Sequence, residues 1–307
     1  MANPLKKKTI IVPWDSSQGC GYALEHAFQL AQAVGDNVMI LQLVKRPGML
    51  LTRAKRSEFE QQLAEQRQQL EREAQRLNME FAEKRAAIIQ NLKTKTAAAG
   101  REFQEVTITS MVLDYRSLVH SLNELVLTLS VNLFVTSQYY QLSRTTRLDL
   151  LPILRKMKSS KVDTTPFIIV NKPPKHLYYT ELVVPMEYVG SYKETLRWVA
   201  YLSTYYHCNV NLIKPPLKDE SKRRGMANNL YFTKKILDSK NVVYGIKTAN
   251  KRAEFNQEVF SFVSAIEADL LILMANNMKN YFADRVVKSE VPILFINPLS
   301  KKYQAFK

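Results

Sequence analysis

The chain of 307 residues is 46% hydrophobic and 23% charged, and it carries a formal net charge of +16 at neutral pH. This length predicts about two domains, and the hydrophobic fraction predicts that they are globular. No uninterrupted apolar run approaches the ~20 residues of a transmembrane helix, so the sequence predicts a protein that does not enter the membrane.

Short apolar runs alternate with amphipathic segments along the chain, a pattern typical of α/β proteins. The first half predicts strands at 9–13, 38–44, 104–112, 132–137 and 166–171, and helices at 20–34, 57–96 and 115–130. The second half predicts strands at 181–186, 209–214, 242–247, 269–274 and 292–297, and helices at 191–206, 226–239 and 252–267. Because a helical crossover joins each pair of parallel strands, we expect parallel sheets covered on both faces.

The two halves of the chain repeat one another. The segment "IIVPWDSSQGCGYALEH" aligns without gaps with "LVVPMEYVGSYKETLRW", so that Pro13 meets Pro185 and Asp15 meets Glu187. A repeat of this length predicts two tandem domains of the same fold. We expect them at 1–172 and 180–307, with a proline-containing linker at 173–179.

The segment 57–96 contains neither glycine nor proline and predicts one long helix inserted in the first domain. Two heptad-spaced rows of apolar residues run along it, namely Leu63, Leu70 and Leu77, and Ala74, Phe81 and Ile88. The rows predict an apolar stripe that rests on the domain. Self-association or a protein partner at a projecting end of the helix stays open.

The motifs "IIVPWDSS", "VNLFVTS" and "TPFIIV" resemble those of the universal stress protein family, and the whole chain resembles its tandem two-domain members. The resemblance implies two Rossmann-like domains of the adenine nucleotide alpha hydrolase-like type. Each would have a five-stranded parallel sheet with flanking helices. It also implies pairing through the last strands, at 166–171 and 292–297.

Family members that bind ATP carry a glycine-rich loop, G-x-x-G-x9-G-[ST], after the fourth strand. Glycine suits this loop because its backbone N–H groups can approach phosphate closely. In this chain the first two glycine positions hold Ser137 and Tyr140 in the first half, and Met274 and Asn277 in the second. The departure predicts a degenerate nucleotide site with no required cofactor, and ATP stays open as a ligand.

Five residues are candidates for ligand contact. Asp15 and Glu187 hold the acidic position that follows the first strand of each half, and Ser17 matches the serine of the same turn. Ser137 and Arg144 belong to "SQYYQLSRTTR", whose hydroxyl and guanidinium groups suit a phosphate or carboxylate. The alternatives are that Asp15 and Ser17 cap a helix, and that 137–147 is an ordinary polar loop.

The chain lacks the sequence motifs of related enzymes, such as HxGH, SGGxDS and the Walker loop. The sequence therefore predicts a non-enzymatic binding or regulatory protein of the stress response, with no metal. The alternative is a binder of ATP or another small molecule through an altered phosphate loop. A third class, a nucleic-acid-associated protein, rests on the positive charge alone, and we expect the basic run 218–229 to be a solvated loop.

Cys20 and Cys208 lie far apart and have no CxxC partner, so we expect neither a disulfide framework nor a zinc site. Unpaired cysteines fit a reducing compartment, and Pro13 and Trp14 interrupt the apolar run after the basic N-terminus too early for a signal peptide. The sequence thus predicts a cytoplasmic protein. Cys20 begins a predicted helix, where the helix dipole favours a lowered pKa and redox sensitivity; helix packing is the alternative.

Overall fold

A computed structural model describes residues 8–48, 52–94, 105–157, 165–176, 178–275 and 289–297. The chain divides into two compact units, Met1–Ile153 and Leu154–Lys307. The linker expected at 173–179 stays a prediction. Among the described residues, no helix combines the length and the apolar character that crossing a bilayer requires.

The first unit is a parallel sheet with flanking helices. Its elements are β1 (Thr9–Pro13), α1 (Gln18–Val34), β2 (Asn37–Lys45), α2 (Arg53–Thr94), β3 (Ile108–Tyr115), α3 (Leu118–Thr128) and β4 (Val131–Thr136), followed by two short strands, β5 (Tyr139–Gln141) and β6 (Arg147–Asp149). A short helix, α4 (Leu151–Lys156), follows β6. The sheet order is β4-β1-β2-β3 with all neighbours parallel, whereas β5 and β6 form a separate antiparallel hairpin.

The second unit repeats this architecture. Its elements are β7 (Phe167–Ile169), β8 (Glu181–Pro185), α5 (Tyr192–Tyr206), β9 (Asn209–Lys214), α6 (Glu220–Ser239), β10 (Tyr244–Thr248), α7 (Phe255–Ala265), β11 (Leu270–Met274) and β12 (Ile293–Ile296). The order is β10-β9-β8-β11-β12-β7, parallel except at the last pair. The predicted fold, a mostly parallel α/β sheet with flanking helices, is confirmed.

The two segments expected to pair through the last strands do so. β7 runs antiparallel to β12, and the rings of Phe167 and Phe295 stack with centroids 5.2 Å apart. The expected end of the first domain at residue 172 stays a prediction; the compact unit that contains β7 begins at Leu154. All seven residues of β7 and β12 are apolar and buried, so the pairing joins the core of that unit.

The basic run 218–229 is not a loop as expected. Asp219 is the N-cap of α6, and its side chain accepts a hydrogen bond from the Lys222 N–H at 2.9 Å. Lysine and arginine are good helix formers, so the N-cap extends the helix back through the run. α6 therefore begins at Glu220 and not near 226.

A buried carboxylate fixes the start of the sheet in each unit. Asp36 accepts hydrogen bonds from the Lys8 N–H and from Asn132 Nδ2, and burial raises the pKa of its carboxyl. Asp269 accepts from the backbone N–H groups of Thr180 and Glu181. Both acids satisfy polar groups that the sheet would otherwise bury without partners, a cost of about 1–3 kcal/mol for each group.

The long helix α2 lies along the first unit. The predicted apolar stripe is confirmed over its described side chains, which are each 4–7% exposed: Leu63, Leu70, Ala74, Leu77 and Phe81. Phe81 packs on Phe28 of α1 with ring centroids 4.5 Å apart. Asn78 binds the edge strand β3, because its side chain accepts from the Ile108 N–H and donates to the Ile108 carbonyl. The side chain of Ile88 lies outside the described residues.

We expect the packing of α2 on its own unit to dominate its stability. Phe81→Ala should lower the free energy of unfolding by about 3–4 kcal/mol, since it leaves a cavity against α1. Met79→Ala is the matched control on the same helix, because Met79 is 63% exposed, and it should cost less than about 0.5 kcal/mol. Urea unfolding measures both, and equal losses would show that the stripe does not hold the helix.

Candidate functional site

The turn between β1 and α1 is built by two of the predicted site residues. Ser17 is the N-cap of α1, with an extended backbone, and its Oγ accepts from the Cys20 N–H at 3.4 Å. Asp15 Oδ1 accepts from the Ser17 N–H at 2.9 Å. Both side chains therefore satisfy backbone donors at the helix start, as the capping interpretation expected.

The segment 137–147 is a β-hairpin in place of a glycine-rich loop. Tyr139–Gln141 pairs with Arg147–Asp149, and Ser137 Oγ donates to the Tyr139 carbonyl at 2.8 Å. α1 comes close to this segment because residue 19 is glycine: a Cβ there would lie 2.9 Å from Ser137 Cβ. The hairpin is thus held against the N-terminus of α1.

Tyr140 is the central side chain of the hairpin. It is 3% exposed, so the alternative that 137–147 is an ordinary polar loop does not describe Tyr140. Its hydroxyl accepts from the Leu43 N–H at 2.8 Å and donates to the Trp14 carbonyl at 3.1 Å. Burial raises the pKa of this phenol well above its usual range, so it remains protonated and able to donate.

Asp15 is the second link between the hairpin and the sheet. Its Oδ2 accepts from the Gln141 N–H, 126 residues further along the chain. Each carboxylate oxygen therefore accepts a backbone N–H, one from the helix start and one from the hairpin. Hydrogen bonds to an ionised carboxylate are stronger than those between neutral groups, so they hold Asp15 firmly in place.

A cleft of about 590 Å³ opens beside these residues. It lies among the turn after β1, the end of β2, the hairpin and α2. Its polar lining includes Asp15, Ser16, Gln42, Lys45, Gln66, Gln69, Glu73, Gln141, Ser143 and Thr146. Two buried atoms in this lining, Trp14 Nε1 and Gln66 Oε1, have no hydrogen-bond partner in the described part of the chain. One is a donor and the other an acceptor, and both are closed off from solvent.

The structure brings together three of the five predicted site residues. Asp15 lines the cleft, and Ser17 and Ser137 lie at the adjoining helix start and strand end. Arg144 is exposed in the turn of the hairpin and is not part of the cleft lining. Glu187 belongs to the other unit. The hydrogen bonds of the Tyr140 hydroxyl were not predicted from the sequence. The sequence signal for the hairpin that carries Tyr140 was the pair of short β-type runs flanking "LSRTT".

In the second unit, α6 covers the equivalent turn. Asn229 Nδ2 donates to the carbonyls of Glu187 and Val189, at 2.7 and 2.9 Å. A Cβ at Gly225 would lie 2.5 Å from the Tyr188 carbonyl oxygen, so only glycine permits this approach. Met274, at the first glycine position of this half, is 2% exposed within β11. Asn277 lies outside the described residues.

Cys20 does not have the lowered pKa that its position suggested. It is 2% exposed, and burial raises the pKa of its thiol to about 12. Its Sγ donates to the Ser17 carbonyl at 3.0 Å. The packing interpretation therefore holds, because the cost of burying a thiolate exceeds the effect of the helix N-terminus.

Residues 7–112 match the sequence model of the Universal stress protein family. A universal stress protein from Archaeoglobus fulgidus DSM 4304 shares the fold, with a TM-score of 0.55 and 9% identity over 95% of this chain and 97% of that chain. A functionally unknown protein from Pseudomonas aeruginosa PAO1 is 11% identical over 95% and 93% of the two chains, with a TM-score of 0.48.

A further universal stress protein from Archaeoglobus fulgidus, in complex with dAMP, covers 39% of this chain and 98% of its own, at 13% identity and a TM-score of 0.32. No curated protein sequence matches the chain. The family resemblance inferred from the motifs is confirmed.

We expect the Tyr140 hydroxyl to be a structural group. Tyr140→Phe removes only the oxygen, and it leaves the Leu43 N–H and the Trp14 carbonyl buried without their partner. The free energy of unfolding should fall by about 1–3 kcal/mol. Tyr139→Phe is the control, since Tyr139 is 43% exposed, and it should leave stability unchanged. A neutral Tyr140→Phe in urea unfolding would show that the hydroxyl does not hold the hairpin.

Proposed function

We propose that this chain, which belongs to the universal stress protein family through residues 7–112, is a non-enzymatic binding and regulatory protein of the stress response. Its first-unit strand-end site differs from that of ATP-binding members because the hairpin of the chain itself fills it. The observation that carries the proposal is the set of bonds from Tyr140 and Gln141 to Leu43, Trp14 and Asp15.

A nucleotide bound at these strand ends would compete with the hairpin. The Leu43 N–H, the Trp14 carbonyl and the Asp15 carboxylate already have partners within the chain. Displacing three hydrogen bonds costs about 1 kcal/mol each, which lowers the apparent affinity of such a ligand by roughly a hundredfold. The site is therefore degenerate as a nucleotide site in this proposal.

Regulation then acts through binding to other surfaces of the protein. A ligand or partner that prefers one arrangement of the hairpin and α2 shifts the population toward it, which requires no chemical step. The free cysteines Cys20 and Cys208 support a cytoplasmic location.

A second candidate function is the binding of a small polar ligand, such as a nucleotide, in the cleft beside the hairpin. The polar side chains that line the cleft favour it, and the volume of about 590 Å³ falls within the range of small-molecule sites. Lys45 at the end of β2 would face an anionic group, while the glutamine amides would bind polar edges. In this second candidate function the ligand binds without displacing the hairpin from the sheet.

A titration with ATP, followed by isothermal calorimetry, distinguishes the two functions. We expect no saturable heat from the wild-type protein up to about 1 mM ATP, because the hairpin must first be displaced. Saturable binding that Asp15→Asn abolishes and Lys45→Ala retains would contradict the proposal, since it would mean that ATP reaches the strand-end site itself.

Saturable binding that Lys45→Ala removes, and that the exposed control Lys55→Ala retains, would establish the second candidate instead. Lys55 suits this control because it is exposed near the start of α2 and does not line the cleft. Far-UV circular dichroism of each variant separates a loss of binding from a loss of fold.

A further inference from the structure

We propose that the groove between α5 and α6 in the second unit is a docking site for an acidic amphipathic helix of a partner protein. The groove has a volume of about 660 Å³ and lies wholly within that unit. It shares no residue with the cleft of the first unit. The inference therefore goes beyond the proposed function and is tested independently of it.

The floor of the groove is apolar. α5 contributes Leu196, Ala200 and Tyr201, and α6 contributes Phe232 and Ile236. Residues four apart on each helix share a face, so the two helices present parallel rows of apolar side chains with a furrow between them. The side chain of Phe232 is 40% exposed, although removing a phenylalanine side chain from water lowers the free energy. A furrow of this kind accepts the apolar face of a third helix, with anchoring residues at i, i+4 and i+7.

The rim of the groove is positive. Lys193 and Arg197 lie along α5, and Lys235 and Lys240 lie at the C-terminal part of α6. None of the described residues that line the groove is acidic. Asp238 on α6 lies outside this lining and accepts a hydrogen bond from the Tyr244 hydroxyl at 3.0 Å. Glutamate or aspartate residues flanking the apolar face of a partner helix would complement this rim, above all at Lys235 and Lys240.

The aromatic rings favour a helix over single-stranded nucleic acid. Proteins that bind single-stranded nucleic acid let its bases stack on the exposed faces of aromatic rings. Here Lys193 Nζ lies over the ring of Phe232, 4.5 Å from its centroid, and the rings of Tyr201 and Tyr205 pack on each other at 4.8 Å. Trp198 meets the Tyr201 ring in an edge contact. Contacts within the unit already engage these rings, whereas the aliphatic floor residues Leu196, Ala200 and Ile236 suit leucine-type anchors.

The test uses the full-length chain and a defined probe. The probe is a fluorescein-labelled helical peptide with leucines at i, i+4, i+7 and i+11 and glutamates on both flanks. We expect fluorescence anisotropy to show saturable binding with a Kd below about 100 µM. A peptide with lysine in place of every glutamate should bind at least about tenfold more weakly, because the rim repels it.

Two matched pairs of variants locate the binding. Lys235→Glu should lower the affinity for the acidic peptide about tenfold. Lys234→Glu, at the neighbouring exposed position outside the groove, should change that affinity less than about twofold. Phe232→Ser should lower the affinity for the acidic peptide by a similar factor. Tyr231→Ser should leave it unchanged, although Tyr231 is the more exposed residue at 63%. All four positions are exposed, so the variants are expected to fold.

Three results would overturn the proposal. One is the absence of saturable binding of the acidic peptide up to about 100 µM, and another is equal binding of the two peptides. The third is binding of a single-stranded oligonucleotide that Lys235→Glu and Phe232→Ser abolish, which would assign the groove to nucleic acid.

Discussion

The first unit depends on one carboxylate. Asp15 stands where β1 ends, and its oxygens accept the backbone N–H groups of Ser17 and Gln141, which joins the start of α1 to the hairpin. The Tyr140 hydroxyl then bridges the ends of β1 and β2. The acid that the family resemblance assigns to ligand contact thus binds the chain itself. The position of the cleft follows, because the hairpin forms one of its walls.

The two halves of the repeat cover their strand ends by different means. In the first unit the hairpin after β4 lies over the turn, whereas in the second unit α6 packs on the turn after β8 through Gly225 and Asn229. α6 also forms one wall of the basic groove with α5. The same arrangement of sheet and helices therefore carries a polar cleft in one unit and an apolar, cation-rimmed groove in the other.

The sequence predicts the elements because their hydrophobic periodicity is local, and the stripe from Leu63 to Phe81 and the buried strands follow it closely. It does not predict the start of α6, since the cap at Asp219 outweighs the polar composition of the run that follows. Nor does it predict the partners of Tyr140, which lie 97 and 126 residues away in the chain. Hydrogen bonds of that separation depend on the tertiary arrangement and leave no pattern in a single sequence. The same holds for Cys20, where burial, and not its place at a helix start, decides the pKa.

We propose that the hairpin occupies the strand-end site of the first unit through its bonds to Leu43, Trp14 and Asp15. Native mass spectrometry of the protein purified from its cells tests this most directly, because a nucleotide held in that site would remain bound on transfer to the gas phase. The account predicts the mass of the bare chain, 35.4 kDa. A stoichiometric adduct with the mass of a nucleotide, lost in Asp15→Asn, would contradict it.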